Sequence, residues 1–279
     1  MLLAAGAVVV VGAGVGIGVL VGGGEDEVAS ATTSAVPEGT TATPATTVAV
    51  TLTLTSTTPP TTTSAGPAAA WMRVGHDEAV FGGPGDQVMM RAAPGGPGLV
   101  AVGYETSAGD DDAAVWTSAD GLAWSRVSHD EAVFGGSGSQ FLTSLAAGGP
   151  GLAAVGADTS GGDHDAAVWT SVDGFVWSRV AHDEAVFGGR DNQGMFGVVA
   201  GNQGVVAVGY DGLDAAVWSS VDGLSWSRAS RDEGTLGSSE GMFMSGVTRA
   251  VPGLVAVGYD AAGGDLDAAL WLAAAEPTP

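Results

Sequence analysis

Hydrophobic and polar positions follow three regimes along the chain. Residues 2–24 hold no charged or strongly polar side chain. As a helix rising ~1.5 Å per residue they would reach about 35 Å, enough to cross a bilayer. A transmembrane anchor over 1–24 is therefore predicted. Ala29, Ser30 and Ala31 offer a small-residue cleavage pattern, and cleavage there would leave the chain secreted. Residues 25–70 turn to Thr, Ala, Pro and Ser with no aromatic residue, which is too little apolar surface to offset chain entropy, so a disordered linker or stalk is predicted. Within it only the alternation from Val48 to Thr55 has a strand period. From Trp71 onward, short apolar runs are cut by Gly and Asp without a helical period, which predicts strands joined by tight turns.

The third regime is repetitive. Trp71, Trp124, Trp177 and Trp226 lie 53, 53 and 49 residues apart, each followed two positions later by Arg73, Arg126, Arg179 or Arg228. HDEAVFGG begins at His76, His129 and His182, with a decayed copy, RDEGTLGS, from Arg231. A run such as GLVAVGY recurs from Gly98, Gly151, Gly204 and Gly253, and DAAVW or DAALW ends in Trp116, Trp169, Trp218 and Trp271. The shortfall of the third unit falls between Gly209 and Asp214, which marks a surface turn. Four strands per unit are predicted, in the first at Val88–Ala92, Leu99–Tyr104, Ala113–Thr117 and Leu122–Val127. Repeated four-stranded sheets of ~50 residues build β-propellers, so residues 71–279 are expected to form an all-β, four-bladed β-propeller. Closure is expected from the strand Trp71–Val74, which would complete the last blade and remove its open edge.

One turn recurs between the third and fourth strands: Ser118, Asp120, Gly121 and Trp124; Ser171, Asp173, Gly174 and Trp177; Ser220, Asp222, Gly223 and Trp226. It resembles the Asp-box of sialidase-like, BNR-type propellers, written SxDxGxTW, with one residue fewer between Asp and Gly and no Thr before the Trp. In that family the motif is structural and lies away from the active site, so the resemblance implies a fold and assigns these residues to the turn. Sialidase-type catalysis in that family needs three converging Arg, a Tyr with a Glu partner and an Asp acid on six blades. Here Arg73, Arg126, Arg179 and Arg228 are repeat-equivalent, as are Tyr104, Tyr210 and Tyr259. No acid and base in unlike environments stand out. The alternative reading is a degenerate Asp-box glycoside hydrolase, which convergence of Arg91, Asp191, Arg231 and Arg249 on a carboxylate would favour.

Charge narrows the partners. The chain has 31 acidic residues against 8 basic ones, a net charge of −23, and would repel nucleic acid or an anionic membrane surface. With no Cys there is no disulfide, thiol nucleophile or thiolate zinc site. The Gly-rich run before residue 25 lacks dinucleotide-loop spacing, because Ile17 stands where Gly12 and Gly14 would require a third glycine. No Lys or Arg precedes the apolar segment and Glu25, Asp26 and Glu27 follow it. A single-pass cell-membrane protein with an extracellular propeller is the expected topology.

Candidate chemistry falls on the loops. In a propeller the loops joining fourth to first and second to third strands share one face, here the HDE loops and the Asp-rich loops. Asp110, Asp111, Asp163, Asp211 and Asp265 are candidate Ca²⁺ ligands, Ca²⁺ taking hard oxygen donors. The alternative is that these carboxylates cap turns and confer solubility, with no cofactor. His76, His129 and His182 are expected to fix three separate turns rather than one metal. The expected function is a membrane-tethered, non-catalytic binding or scaffold module, with a protein or glycan ligand on the acidic face. The strand count also fits a third arrangement, in which two chains pair into a larger ring.

Overall fold

The computed structural model describes residues 71–107, 109–149, 151–232, 234–237, 239–250 and 253–274. The predicted anchor and stalk lie outside the described residues. Among the described residues no helix is long and apolar enough to cross a membrane.

Four antiparallel sheets follow one another in chain order. Sheet 1 comprises β1 (Gln87–Gly95), β2 (Gly98–Ser107), β3 (Asp110–Ser118) and β4 (Trp124–Arg126). Sheet 2 comprises β5 (Gln140–Gly148), β6 (Gly151–Asp158), β7 (Asp165–Ser171) and β8 (Trp177–Arg179). Sheet 3 comprises β9 (Gln193–Gly201), β10 (Gly204–Asp211), β11 (Asp214–Ser220) and β12 (Trp226–Arg228). Sheet 4 comprises β13 (Met242–Arg249), β14 (Gly253–Asp260) and β15 (Asp267–Ala274). The fourth strands are shorter than the pattern predicts because the residues before them belong to the turn. In sheet 1, the Leu122 and Ala123 amides donate to Asp120 Oδ1 at 2.8 and 2.9 Å instead of entering the ladder.

The HDEAVF segments, predicted as loops, wind into single helical turns, α1 (Glu78–Phe81) and α2 (Glu131–Phe134). Asp77 and Asp130 are their N-caps, each accepting from the amide two residues on at 2.9 and 3.0 Å. The indole N–H groups of the buried Trp116, Trp169 and Trp218 donate to the carbonyls of Val80, Val133 and Val186 at 2.8, 2.6 and 2.7 Å. Each turn is thereby fastened to the sheet that follows it.

Every first strand carries a β-bulge, and a glycine of the second strand lies beneath it. Register shifts fall between Met89 and Arg91, Leu142 and Ser144, Met195 and Gly197, and Met244 and Gly246. A Cβ on Gly103, Gly156, Gly209 or Gly258 would overlap the backbone carbonyl of the first strand. The glycine closing each GLVAVG run is thus required by close approach of two backbones.

The first strand of each later sheet lies across the first three strands of the sheet before it: β5 on β1–β3, β9 on β5–β7, β13 on β9–β11. Each junction encloses its own apolar core. Val102 and Val115 meet Leu142, Val155 and Val168 meet Met195, and Val208 meets Met244.

The predicted closing strand is not formed. Sheet 4 has three strands, residues 71–74 form none, and Trp71 is 102% exposed. No comparable packing joins sheet 4 to sheet 1, so among the described residues the sheets form an open array instead of a closed four-bladed ring. The physical reason is tethering. β4, β8 and β12 have three residues each, and each is delivered to its neighbour by the S-x-D-G turn. Residues 71–73 have no such turn leading from β15, and three residue pairs are few to offset loop closure and backbone ordering.

Candidate functional site

The loops between second and third strands are bonded to the segments that lead into the first strands. Thr106, Thr159, Gly212 and Ala261 donate their amides to the carbonyls of Asp86, Ser139, Asn192 and Gly241 at 2.7–2.8 Å. Gln193 and Met242 donate across to the preceding sheet, to His164 and Leu213 carbonyls, at 2.6 and 2.7 Å. The Asp-rich loops and the HDE turns therefore share one face, with the S-x-D-G turns at the other ends of the strands.

On that face the structure brings together groups that the sequence reading kept apart. Asp112, at the start of β3, meets His129 and Glu131 of the turn leading into sheet 2, with one donor atom from each lying within 4.8 Å of the others. Asp165, His182 and Glu184 repeat the arrangement one sheet on. His129 Nε2 is 3.2 Å from Glu131, and His182 Nε2 is 3.2 Å from Glu184 and 3.9 Å from Asp165. Asp112 is buried, Asp165 half-buried and both glutamates exposed. Burial raises the Asp165 carboxyl from its ordinary value, with His182 opposing and the negative charges of Asp163 and Glu184 adding. Such a site is stabilised by a cation. At the third junction one is built in, since Arg231 Nε lies 2.5 Å from Asp214. One imidazole and two carboxylates at this spacing suit a divalent ion with bonds of ~2.0–2.2 Å after a small contraction. The sequence signal was available: Asp112, Asp165 and Asp214 each stand seventeen residues before His129, His182 and Arg231.

The five candidate Ca²⁺ ligands are not brought into one shell. Asp110 and Asp111 belong to sheet 1, Asp163 to the β6–β7 loop, Asp211 to sheet 3 and Asp265 to the β14–β15 loop. Asp111 accepts from Thr106 Oγ1 at 2.7 Å, while Asp211 accepts from Gln193 at 2.8 Å and pairs with Arg228 at 3.0 Å. The donor groups shift instead to Asp112 and Asp165, whose strand positions hold them against the next sheet's turn.

The S-x-D-G turns repeat closely. Ser118, Ser171 and Ser220 Oγ each accept from the amide of Gly121, Gly174 or Gly223 at 2.8 Å. Those glycines have φ of +78°, +80° and +77°, a region that penalises a Cβ. Trp124, Trp177 and Trp226 donate to the carbonyls of the same glycines at 3.0, 2.9 and 3.0 Å. The amides of Ser225 and Leu224 hold the Asp222 carboxyl down to about 2; those of Val176 and Phe175 likewise lower Asp173, and those of Ala123 and Leu122 lower Asp120.

The arginines do not converge. Arg126, Arg179 and Arg228 each pair with the end of the second strand in their own sheet, at Glu105, Asp158 and Asp211. Arg231 holds Asp214, Arg249 donates to the Ala200 and Gly204 carbonyls at 3.3 and 3.4 Å, and Arg91 is exposed on β1. Asp191 packs at Gly212.

The chain matches no protein-family model and no curated protein. Among solved structures it is similar to a putative glycosidase from Bacteroides thetaiotaomicron VPI-5482. The two share 14% identity over 61% of each chain, with a TM-score of 0.40. At that level the likeness brings no activity to this chain.

The sequence reading missed an apolar end. Leu122, Val172, Phe175, Val176, Val221 and Leu224 stand exposed on the S-x-D-G turns. Several border a groove of about 250 Å³ running past Leu152 and Val205. The signal was the apolar choice at the variable positions of the turn.

Proposed function

We propose that the chain is a cation-dependent, non-catalytic binding module. Its four sheets act as propeller-like blades, held outside the cell by residues 2–24 and lifted from the membrane by the stalk. The observation that supports this reading is equivalence: the groups able to do chemistry recur as like copies at successive junctions, whereas hydrolysis needs one acid and one base in unlike environments. A face that repeats suits a protein or glycan ligand contacted at several sheets at once. The imidazole in each cluster favours Mn²⁺ or Zn²⁺ over Ca²⁺, which prefers oxygen donors alone. Each ion would bridge a turn to the sheet before it and offset part of the charge of −23.

Calorimetric titration of the metal-free chain tests this. Mn²⁺ or Zn²⁺ is expected to bind with one equivalent per chain fewer after His182→Ala and two fewer after His129→Ala with His182→Ala, while the melting temperature without metal stays unchanged. Absence of binding heat with either ion, or unchanged stoichiometry in the double variant, would contradict the reading.

A further inference from the structure

Two faces of the array are bare where the repeat covers them everywhere else. Leu142, Met195 and Met244 share one repeat position and are fully buried between sheets, whereas Met89, at that position in sheet 1, is 42% exposed. At the other end, Val102, Val155 and Val208 are buried under the following sheet, whereas Val257 is 46% exposed. Val115 and Val168 are buried likewise, and Leu270 is 61% exposed.

The partners that the repeat supplies across these positions are missing at the same two places. Arg126, Arg179 and Arg228 have Glu105, Asp158 and Asp211. Among the described residues neither Arg73 nor Asp260, at the corresponding positions, has an ion-pair partner. His129, His182 and Arg231 face Asp112, Asp165 and Asp214. His76 meets Glu78 at 3.0 Å, and Asp267 stands exposed at the start of β15.

Going beyond the proposed function, we infer that two copies of the chain pair head to tail, sheet 1 of each covering sheet 4 of the other, to close one ring of eight sheets. The occupant follows from the repeat. Each bare face is half of a junction that the chain already makes three times, and the missing half stands at the chain's opposite end. Within one chain the two halves do not meet. A two-fold axis forms the same junction twice and leaves no sheet face uncovered. Met89 of one copy then fills the place against Val257 and Leu270 of the second copy. Residues 71–74 run beside β15 of the second copy as its fourth strand, and Arg73 reaches Asp260 of the second copy. His76 and Glu78 gain Asp267 of the second copy, which builds another His–carboxylate cluster across each junction.

The test is light scattering on the full chain, kept in one mild detergent whose contribution is subtracted. Wild type is expected at twice 27.2 kDa. Arg73→Asp alone and Asp260→Arg alone each place like charges at both junctions, so each is expected to weaken pairing at least tenfold. An equimolar mixture restores pairing, because every junction then joins opposite or native charges. Met89→Asp, on the apolar part of the same junction, gives monomers. Arg73 and Met89 are exposed in the single chain and Asp260 is half-buried at the end of β14, where its side chain accepts from the Ala262 amide of the following turn, so circular dichroism should match wild type. A monomeric wild type, an oligomer other than two, single variants that pair like wild type, or a mixture that stays monomeric would each overturn the pairing.

Discussion

Replacing Gly156 by alanine is expected to destabilise the protein by about 3 kcal/mol, at the upper end of overpacking costs. The new methyl would overlap the Phe141 carbonyl oxygen of the neighbouring strand. That oxygen is backbone, in the middle of a sheet with another sheet packed on each side, so it has nowhere to retreat. Gly209→Ala meets the same obstacle at the Gly194 carbonyl and should behave alike. Gly75→Ala is the control, because nothing lies within 4 Å of a Cβ there. Urea unfolding followed by circular dichroism reads the difference. A loss below about 0.5 kcal/mol in Gly156→Ala would mean that the bulge does not press on this glycine.

Trp169→Ala is expected to cost about 3–5 kcal/mol, the range for emptying a large aromatic from a core. Trp169 is fully buried, stacks under Arg179 with the guanidinium carbon 5.3 Å from its ring centroid, and donates to the Val133 carbonyl at 2.6 Å. It therefore fills the core between sheets 1 and 2 and also fastens α2 to sheet 2. Trp169→Phe keeps most of the volume and leaves that carbonyl unpaired, so a loss of ~1–2 kcal/mol is expected. In the monomeric Met89→Asp background, Trp71→Ala should change nothing measurable, and losses equal to those at Trp169 there would show that Trp71 is held in a sheet of its own chain.

The strands, their order and the loop face were legible because the repeat states each of them several times. A strand seen once as an apolar run is ambiguous, while the same run seen four times beside the same Gly and Asp is not. The helical turns of HDEAVF were missed although Asp77 and Asp130 are ordinary N-caps, since four residues show no helical period. The fourth strands were drawn too long because hydropathy cannot tell Leu122 in a strand from Leu122 on an Asp-held turn. The His–carboxylate clusters were hidden because Asp112 belongs to the third strand of one sheet and His129 to the turn leading into the next, and the two meet only when the chain passes between them. Closure was misread for a related reason. Counting strands treats Trp71–Arg73 as the equal of Trp124–Arg126, but only the latter is tethered by a turn to the strand it pairs with.

The account rests on an array that is open within one chain and completed only by another. Because the chain contains no cysteine, spin labels can be placed at will through Met72→Cys and Ala262→Cys. In doubly labelled chain diluted with an excess of unlabelled chain, pulsed electron–electron resonance reads the separation inside a single copy. The account predicts more than about 25 Å, since sheets stack ~10 Å apart and the labels sit at opposite ends of four of them. A single separation below about 20 Å, as for labels on paired strands ~5 Å apart, would contradict it.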